Sequence, residues 1–324
     1  MNSASIQANT VKSGDRRELA RAITLIESTR PDHRTQAEAL LTEVMPSSGN
    51  SIRIGISGVP GVGKSTFIEA FGLHLIELGH KVCVLAVDPS SPRTGGSILG
   101  DKTRMELLSR SRDAFIRPSP SSGTLGGVAR RTREAILVCE AAGFDVILVE
   151  TVGVGQSETA VANLVDMFLL LIAPGGGDEL QGIKKGIVEL ADLVVVNKAD
   201  GDLLPAAERA KRDYGAALHL LRAQSENWHP KTLLCSSVTG AGINEVWNTV
   251  EAFKDIKIST DTFKTHREQQ AIAWMWDEIH ENLNDQLKTS PAIATHIPIL
   301  EREVQSGKST PTEAARKILD IFKI

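Results

Sequence analysis

The chain has 324 residues, 23% of them charged, and a formal net charge of -4. This length allows a well-buried core without disulfides or metals, and the slightly acidic balance gives no electrostatic reason to expect nucleic acid or an anionic membrane as partner. No stretch reaches about 18 uncharged apolar residues, and the N-terminal region lacks the apolar run of a secretion signal, so we expect a cytoplasmic protein. Cys83, Cys139 and Cys235 lie in apolar stretches without CxxC spacing, which predicts reduced core residues.

Residues 1–49 have the spacing of helices. Leu19, Ile23 and Ile26 recur at helical intervals, a second apolar set follows between 37 and 44, and Pro31 separates the two. We therefore expect an N-terminal extension of two helices.

Residues 50–260 change to short apolar runs that alternate with longer amphipathic ones. Near-continuous Val, Ile and Leu are typical of strands covered on both faces. The predicted strands are Ile52–Ser57, Val82–Val87, Val146–Val149, Met167–Ala173, Leu193–Val196 and Thr232–Cys235. The pattern predicts an α/β fold with a doubly wound, mostly parallel sheet.

A glycine-rich segment that matches G-x-x-x-x-G-K-[ST] follows the first strand. Because the segment also opens a helical run, its context favours a phosphate-binding loop over an ordinary glycine-rich turn. Its backbone N–H groups would surround the β-phosphate, Lys64 would reach the β- and γ-phosphates, and Ser65 would hold Mg²⁺. The predicted phosphate-binding residues are Gly58, Val59, Pro60, Gly61, Val62, Gly63, Lys64, Ser65 and Thr66.

Acidic residues follow two of the predicted strands. Glu150 and Gly153 stand where P-loop NTPases place an acid that faces the metal and a glycine whose N–H meets the γ-phosphate. Asp88 follows the second strand, and Asp101 comes thirteen residues later. Either aspartate could cap a helix or turn, but on Gly-, Ser- and Pro-rich loops near a triphosphate we favour magnesium binding.

The position of the usual catalytic glutamine is occupied by Val154, and Gln156 lies nearby in a different register. In many GTPases that glutamine orients the attacking water, so we expect slow intrinsic hydrolysis that another protein or a rearranged loop accelerates. Candidate helpers are Arg104 and the glycine-rich segment 175–185, which contains Gln181 and Lys184. The alternative for this lysine is a solvated helix face.

The segment Asn197-Lys198-Ala199-Asp200 follows the fifth predicted strand, at the carboxyl edge of the sheet where ligands bind in such folds. The carboxylate of Asp200 can accept the N1–H and N2–H groups of guanine, donors that adenine lacks. Lys198 can lie along the base, and Asn197 can tie neighbouring loops together. Ser236, Ser237 and Val238 are predicted to cover the base.

Residues 261–324 are predicted to form a helical arm. The expected helices are Thr265–Gln286, Ala292–Gln305 and Thr312–Phe322. The first of them carries an apolar stripe made of Trp274, Met275, Trp276, Ile279 and Leu283. The stripe either folds back onto the sheet domain or forms a partner interface, and we favour self-association.

Several of these motifs are longer than those of generic GTPases, and together they resemble the MeaB/MMAA/ArgK group, the methylmalonyl-CoA mutase-associated P-loop GTPases. The resemblance covers about residues 36 to 286. It is carried by Gly58–Thr66, Asp88–Pro92, Gly100–Met105, Glu150–Glu158, the segment 175–185 and Asn197–Asp200.

This resemblance implies a homodimeric GTPase, with GTP or GDP and Mg²⁺ as ligands, that chaperones an adenosylcobalamin-dependent acyl-CoA mutase. It implies that GTP gates cofactor delivery by a cobalamin adenosyltransferase and that the GTPase protects or reactivates the mutase. By position, Ser65, Asp88, Asp101 and Glu150 would be associated with magnesium, and Gln181 and Lys184 would belong to a switch that senses the mutase.

Two other functions remain as alternatives. A kinase of a transport protein would need a phosphoacceptor site and a base, and no segment outside the switch loops supplies them. A metallochaperone GTPase would need a His- or Cys-rich loading segment, whereas the eight His residues are scattered.

Overall fold

A computed structural model of the chain describes residues 6–87, 105–118, 125–151, 157–175, 185–220 and 227–322. It contains two compact units, Met1–Glu268 and Gln269–Ile324. The first unit holds the sheet, and the second is helical.

The described part of the first unit contains seven strands in one parallel sheet of order β3-β2-β4-β1-β5-β6-β7. The strands are β1 (Ile52–Ser57), β2 (Val82–Val87), β3 (Ala114–Arg117), β4 (Val146–Thr151), β5 (Met167–Ile172), β6 (Leu193–Val196) and β7 (Lys231–Leu234). The chain winds from β1 first toward β3 and later toward β7, so the predicted doubly wound α/β sheet is confirmed. Strand β3 was not predicted, because its four residues give too short an apolar run.

In the described part of the first unit, ten α-helices begin before residue 260. They are α1 (Ala8–Lys12), α2 (Arg16–Glu27), α3 (Pro31–Val44), α4 (Lys64–Glu77), α5 (Glu106–Arg110), α6 (Leu125–Ala141), α7 (Ser157–Ala162), α8 (Lys185–Leu190), α9 (Leu204–Leu220) and α10 (Ile243–Ser259). The N-terminal extension thus has three helices, and the expectation of two was wrong. Helix α1 spans only five residues and buries two of them, so it leaves almost no periodic signal.

The two faces of the sheet are packed differently around β1. On one face, Phe67 and Phe71 of α4 stack with centroids 5.4 Å apart in the main apolar cluster. On the other face, α7 approaches the strand closely at Gly55. A Cβ at Gly55 would lie 3.0 Å from Cγ1 of Val161, which is tighter than most real Cβ contacts. Helix α7 is therefore fixed directly on the strand that enters the phosphate loop.

A buried group of charges lies at the amino ends of the central strands. Arg53 of β1, only 3% exposed, donates to both carboxylate oxygens of Glu140 at 2.8 and 2.9 Å. Arg267 donates to both oxygens of Asp166 at 2.8 and 2.7 Å. Burial alone would raise the pKa of Glu140, but the hydrogen bonds and charge of Arg53 hold that pKa below its usual range. Paired in this way, the charges can be buried at tolerable cost.

Helix α11 (Thr262–Thr289) begins in the first unit and continues into the second, where α12 (Pro291–Ala294), α13 (Ile297–Gln305) and α14 (Pro311–Phe322) follow. Ile293, Leu300 and Ala314 form the buried side of these last three helices. Along α11, Met275 and Trp276 stay about half exposed. Among the described residues, no helix combines the length and apolar character needed to cross a membrane.

Candidate functional site

The loop between β1 and α4 has the backbone that a phosphate cradle requires. Gly61 and Gly63 have φ values of +84° and +93°, where a residue with a Cβ is strained. Gly58 passes so close to β5 that a Cβ would lie 2.3 Å from the carbonyl oxygen of Leu171. In the part of the chain that the structure describes, no side chain caps the start of α4, so its first N–H groups and the positive end of its dipole can face an anion.

Lys64 is the first residue of α4, and its Nζ donates to the carbonyl oxygen of Gly58 at 2.6 Å. Burial lowers the pKa of Lys64, while the carboxylates of Glu150 and Glu158 act against that shift. The ammonium group is therefore partly desolvated and lies among acids. A charge in this environment interacts strongly with an incoming phosphate.

The acid predicted at the end of β4 lies on the same face of the sheet as α4. Glu150 pairs with Ile56 in the strand register, is 4% exposed and acts electrostatically on Lys64. The next residue, Thr151, points to the opposite face, where its hydroxyl donates to Oγ of Ser57 at 2.9 Å. This bond joins the strand that leads into the phosphate loop to the strand that carries Glu150.

The guanine motif is bonded directly to the phosphate loop. Nδ2 of Asn197 donates to the carbonyl oxygen of Val62 at 3.0 Å, and Nζ of Lys198 donates to that of Gly61 at 2.7 Å. Oδ1 of Asn197 accepts the N–H of Ser237 at 3.1 Å and its hydroxyl at 2.7 Å. A Cβ at Gly63 would lie 2.8 Å from Nδ2 of Asn197, so this contact also needs glycine.

The carboxylate of Asp200 is held by the loop after β7. The hydroxyl of Ser236, a fully buried residue, donates to Oδ2 of Asp200 and accepts the N–H of Thr239 at 3.2 Å. Val238 is 83% exposed at the tip of this loop. The loop closes at Gly242, where φ is +79° and a Cβ would lie 2.2 Å from the carbonyl oxygen of Leu234.

The structure thus brings together the phosphate loop, Glu150 and the guanine motif at the carboxyl edge of the sheet. Ser65 is half-buried and Thr66 exposed in the first turn of α4. Among the described residues, no group of three or more His, Cys, Asp or Glu could hold a metal. Six of the predicted site residues lie outside the described residues: Asp88, Asp101, Arg104, Gly153, Gln181 and Lys184.

Two features of the site were not assigned from the sequence. The hydroxyl bond between Thr151 and Ser57 joins strands that are far apart in the chain. Glu158 is 1% exposed on α7 and acts on Lys64, although the sequence only marked it as part of a longer motif. The sequence shows Glu158 only as an acid near the start of a short helical segment, and its burial is visible only in three dimensions.

Comparison with known proteins gives a consistent result. The family model "Methylmalonyl Co-A mutase-associated GTPase MeaB" matches residues 19–292. The mitochondrial methylmalonic aciduria type A homolog of Mus musculus is 52% identical over 320 residues, covering 96% of this chain and 77% of that protein. GTPase ArgK of Escherichia coli is 52% identical over 277 residues, covering 86% of this chain and 84% of that protein. A crystal structure of a LAO/AO transport system kinase matches with a TM-score of 0.79 at 38% identity, covering 100% of this chain and 99% of that one.

Proposed function

Since the chain belongs to the family of methylmalonyl-CoA mutase-associated GTPases, and is therefore a guanine-nucleotide-binding GTP hydrolase, we propose that it chaperones an adenosylcobalamin-dependent acyl-CoA mutase of the methylmalonyl-CoA type. In this role GTP binding and hydrolysis gate the delivery of the cofactor by an adenosyltransferase and protect or reactivate the mutase. The protein acts as a homodimer in the cytoplasm.

One observation carries the nucleotide part of the proposal. Asn197 and Lys198 are hydrogen-bonded to the carbonyl groups of Val62 and Gly61, so the base-selecting and phosphate-binding segments form one unit. Ser236 holds Oδ2 of Asp200, which leaves the other oxygen available to a donor. Guanine presents two such donors, N1–H and N2–H, side by side. Oδ1 of Asp200 can accept one of them, and Oδ2 can accept the other in addition to the Ser236 hydroxyl, because a carboxylate oxygen has two lone pairs.

A bound Mg²⁺ ion would neutralise part of the negative charge of the triphosphate. The hydroxyl of Ser65, in the first turn of α4, and the carboxylate of Glu150 are oxygen ligands of the type that Mg²⁺ takes. We assign Asp88 and Asp101 to the same ion from the sequence motif. Lys64 then holds the phosphate oxygens and limits their motion during hydrolysis.

The chain is proposed to hydrolyse GTP slowly until a partner binds. Val154 replaces the glutamine that orients water in many GTPases, and Arg104, Gln181 and Lys184 are the residues assigned to the partner-dependent step. The half-exposed Met275 and Trp276 of α11 support self-association through the C-terminal helices, because apolar patches on a helix are typical of interfaces.

The test is GTP turnover by the purified protein alone and with added methylmalonyl-CoA mutase. We expect the mutase to accelerate phosphate release by about five- to 100-fold, the usual range of coupling between two sites. Lys184→Ala should blunt this response, whereas Lys211→Ala, at an exposed position of α9, should not. Unchanged turnover with the mutase would refute the partner assignment. Transfer of the labelled γ-phosphate to a protein, instead of its release, would favour the kinase.

A further inference from the structure

Two buried hydroxyl groups are bonded to each other where the central strands end. Thr151 is the last residue of β4 and Ser57 the last of β1, and they are 0% and 1% exposed. Oγ1 of Thr151 donates to Oγ of Ser57 at 2.9 Å. The residues of β4 that share this face, Ile147 and Val149, are apolar, and a valine would fill the position of Thr151 with the same shape. The hydroxyl group at this position therefore needs a reason.

The bond lies one residue beyond the backbone pairing of β1 with β4. That pairing ends at Ile56 and Glu150. Ser57 and Thr151 are the next residue of each strand, so their hydroxyl groups add one more link before β1 gives way to the phosphate loop. On its other side, Thr151 pairs with Val87, the last residue of β2. The side-chain bond thus continues the connection between β1 and β4 to the very edge of the site.

Two parts of the site leave the sheet directly beside this bond. Ser57 precedes Gly58, where the phosphate loop begins, and Thr151 follows Glu150. Each is one peptide unit from the hydroxyl pair, a distance of about 3.8 Å between consecutive Cα atoms. A change in the spacing of Ser57 and Thr151 is therefore passed on to the loop and to the acid.

We propose that Thr151 is a positioning residue for GTP hydrolysis, whose hydroxyl bond to Ser57 fixes the spacing between the phosphate loop and the carboxylate of Glu150. The inference rests on the proposed function, in which Glu150 and the hydroxyl of Ser65 hold the same Mg²⁺ ion. Mg²⁺ demands nearly ideal octahedral distances, so a small change in the spacing of its ligands weakens its binding. The side chain of Thr151 points to the opposite face of the sheet from Glu150, and it acts through its neighbours.

The experiment titrates Mg²⁺ by calorimetry into the full chain loaded with a non-hydrolysable GTP analogue, and measures kcat and KM for GTP without any mutase. For Thr151→Val we expect Mg²⁺ to bind about three- to tenfold more weakly and kcat to fall by a similar factor, which corresponds to the net worth of one hydrogen bond. Affinity for GDP without Mg²⁺ should stay at the wild-type value, because the phosphate loop and the guanine motif are unaltered. Thr151→Ser keeps the hydroxyl group and should restore the affinity for Mg²⁺.

Thr249→Val is the matched control. Thr249 is also buried, and its hydroxyl donates to the carbonyl oxygen of Glu245 at 2.8 Å within α10. This substitution removes a buried hydroxyl bond of the same kind, and it should leave Mg²⁺ binding and kcat unchanged.

Wild-type affinity for Mg²⁺ in a folded Thr151→Val variant would overturn the proposal, and so would a Thr151→Ser variant that binds Mg²⁺ as weakly as Thr151→Val. If Thr151→Val does not fold, Ser57→Ala carries the test, because it removes the acceptor of the same bond and should cause the same loss. Glu150→Gln separates this inference from the assignment of the ion. If Glu150→Gln weakens Mg²⁺ binding and Thr151→Val does not, only the positioning role fails, whereas if neither does, the magnesium role of Glu150 fails as well.

Discussion

Asp192 offers a quantitative test of how burial controls charge in this fold. The residue directly precedes β6, its Oδ2 accepts the N–H of Phe168 at 2.8 Å, and it lines a cavity of about 180 Å³ with Phe253, Phe263 and Lys257. Burial raises the pKa of Asp192 from 3.8 to about 6, against the opposing effects of the Phe168 N–H and the charge of Lys257. At neutral pH the ionised carboxylate of Asp192 therefore lowers the stability of the folded protein.

The magnitude follows from the two pKa values. They differ by about 2 units, and at about 1.4 kcal/mol per unit the ionised form costs about 3 kcal/mol of folding stability. Because the folded-state pKa lies above the unfolded value, the benefit of the neutral acid is complete below about pH 4 and is lost as the pH rises through about 6. In Asp192→Asn the amide oxygen can still accept the Phe168 N–H, and no charge is buried.

The assay is urea unfolding of both proteins at about pH 5 and about pH 8, followed by circular dichroism. At the higher pH, Asp192→Asn should be more stable than wild type by about 1 to 3 kcal/mol, and at the lower pH the gain should shrink. Asp166→Asn is the matched control, since it breaks the pair with Arg267 and should destabilise the chain. A variant that is less stable at the higher pH, or whose gain does not depend on pH, would refute the reasoning.

Two further predictions concern the nucleotide site. Gly58→Ala should abolish GTP binding measured by calorimetry, because its Cβ would meet the Leu171 carbonyl oxygen at 2.3 Å. Gly186→Ala, where a Cβ meets no described atom within 4 Å, should bind normally, and retained GTP binding by Gly58→Ala would contradict the cradle geometry. Asp200→Asn should shift preference from GTP toward xanthosine triphosphate by about tenfold or more, since it exchanges a hydrogen-bond acceptor for a donor facing the base. Unchanged selectivity in a competition assay would remove Asp200 from the base site.

The sequence alone was sufficient for the segments whose function depends on neighbouring residues in the chain. The loop from Gly58 to Ser65, the strand before it and the motif at Asn197–Asp200 were all predicted correctly as elements, because each pattern is contiguous and its chemistry is carried by residue type. The order of glycines with Lys64 and Ser65 predicts a phosphate loop wherever the sheet places it. The short strand β3 and helix α1 were missed, because too few residues contribute to their periodicity.

Only the tertiary structure decided which charges meet. Arg53 finds Glu140 87 residues away, and Arg267 finds Asp166 at a separation of 101 residues. Likewise, the burial of Glu158 on α7 is visible only in the folded chain, where α7 packs on β1. Desolvation and Coulomb attraction act over a few ångströms in space, irrespective of separation along the chain. The sequence by itself was therefore enough to predict that this protein binds and hydrolyses a guanine nucleotide. The electrostatic environment of the site depends on tertiary packing and could be seen only in the folded structure.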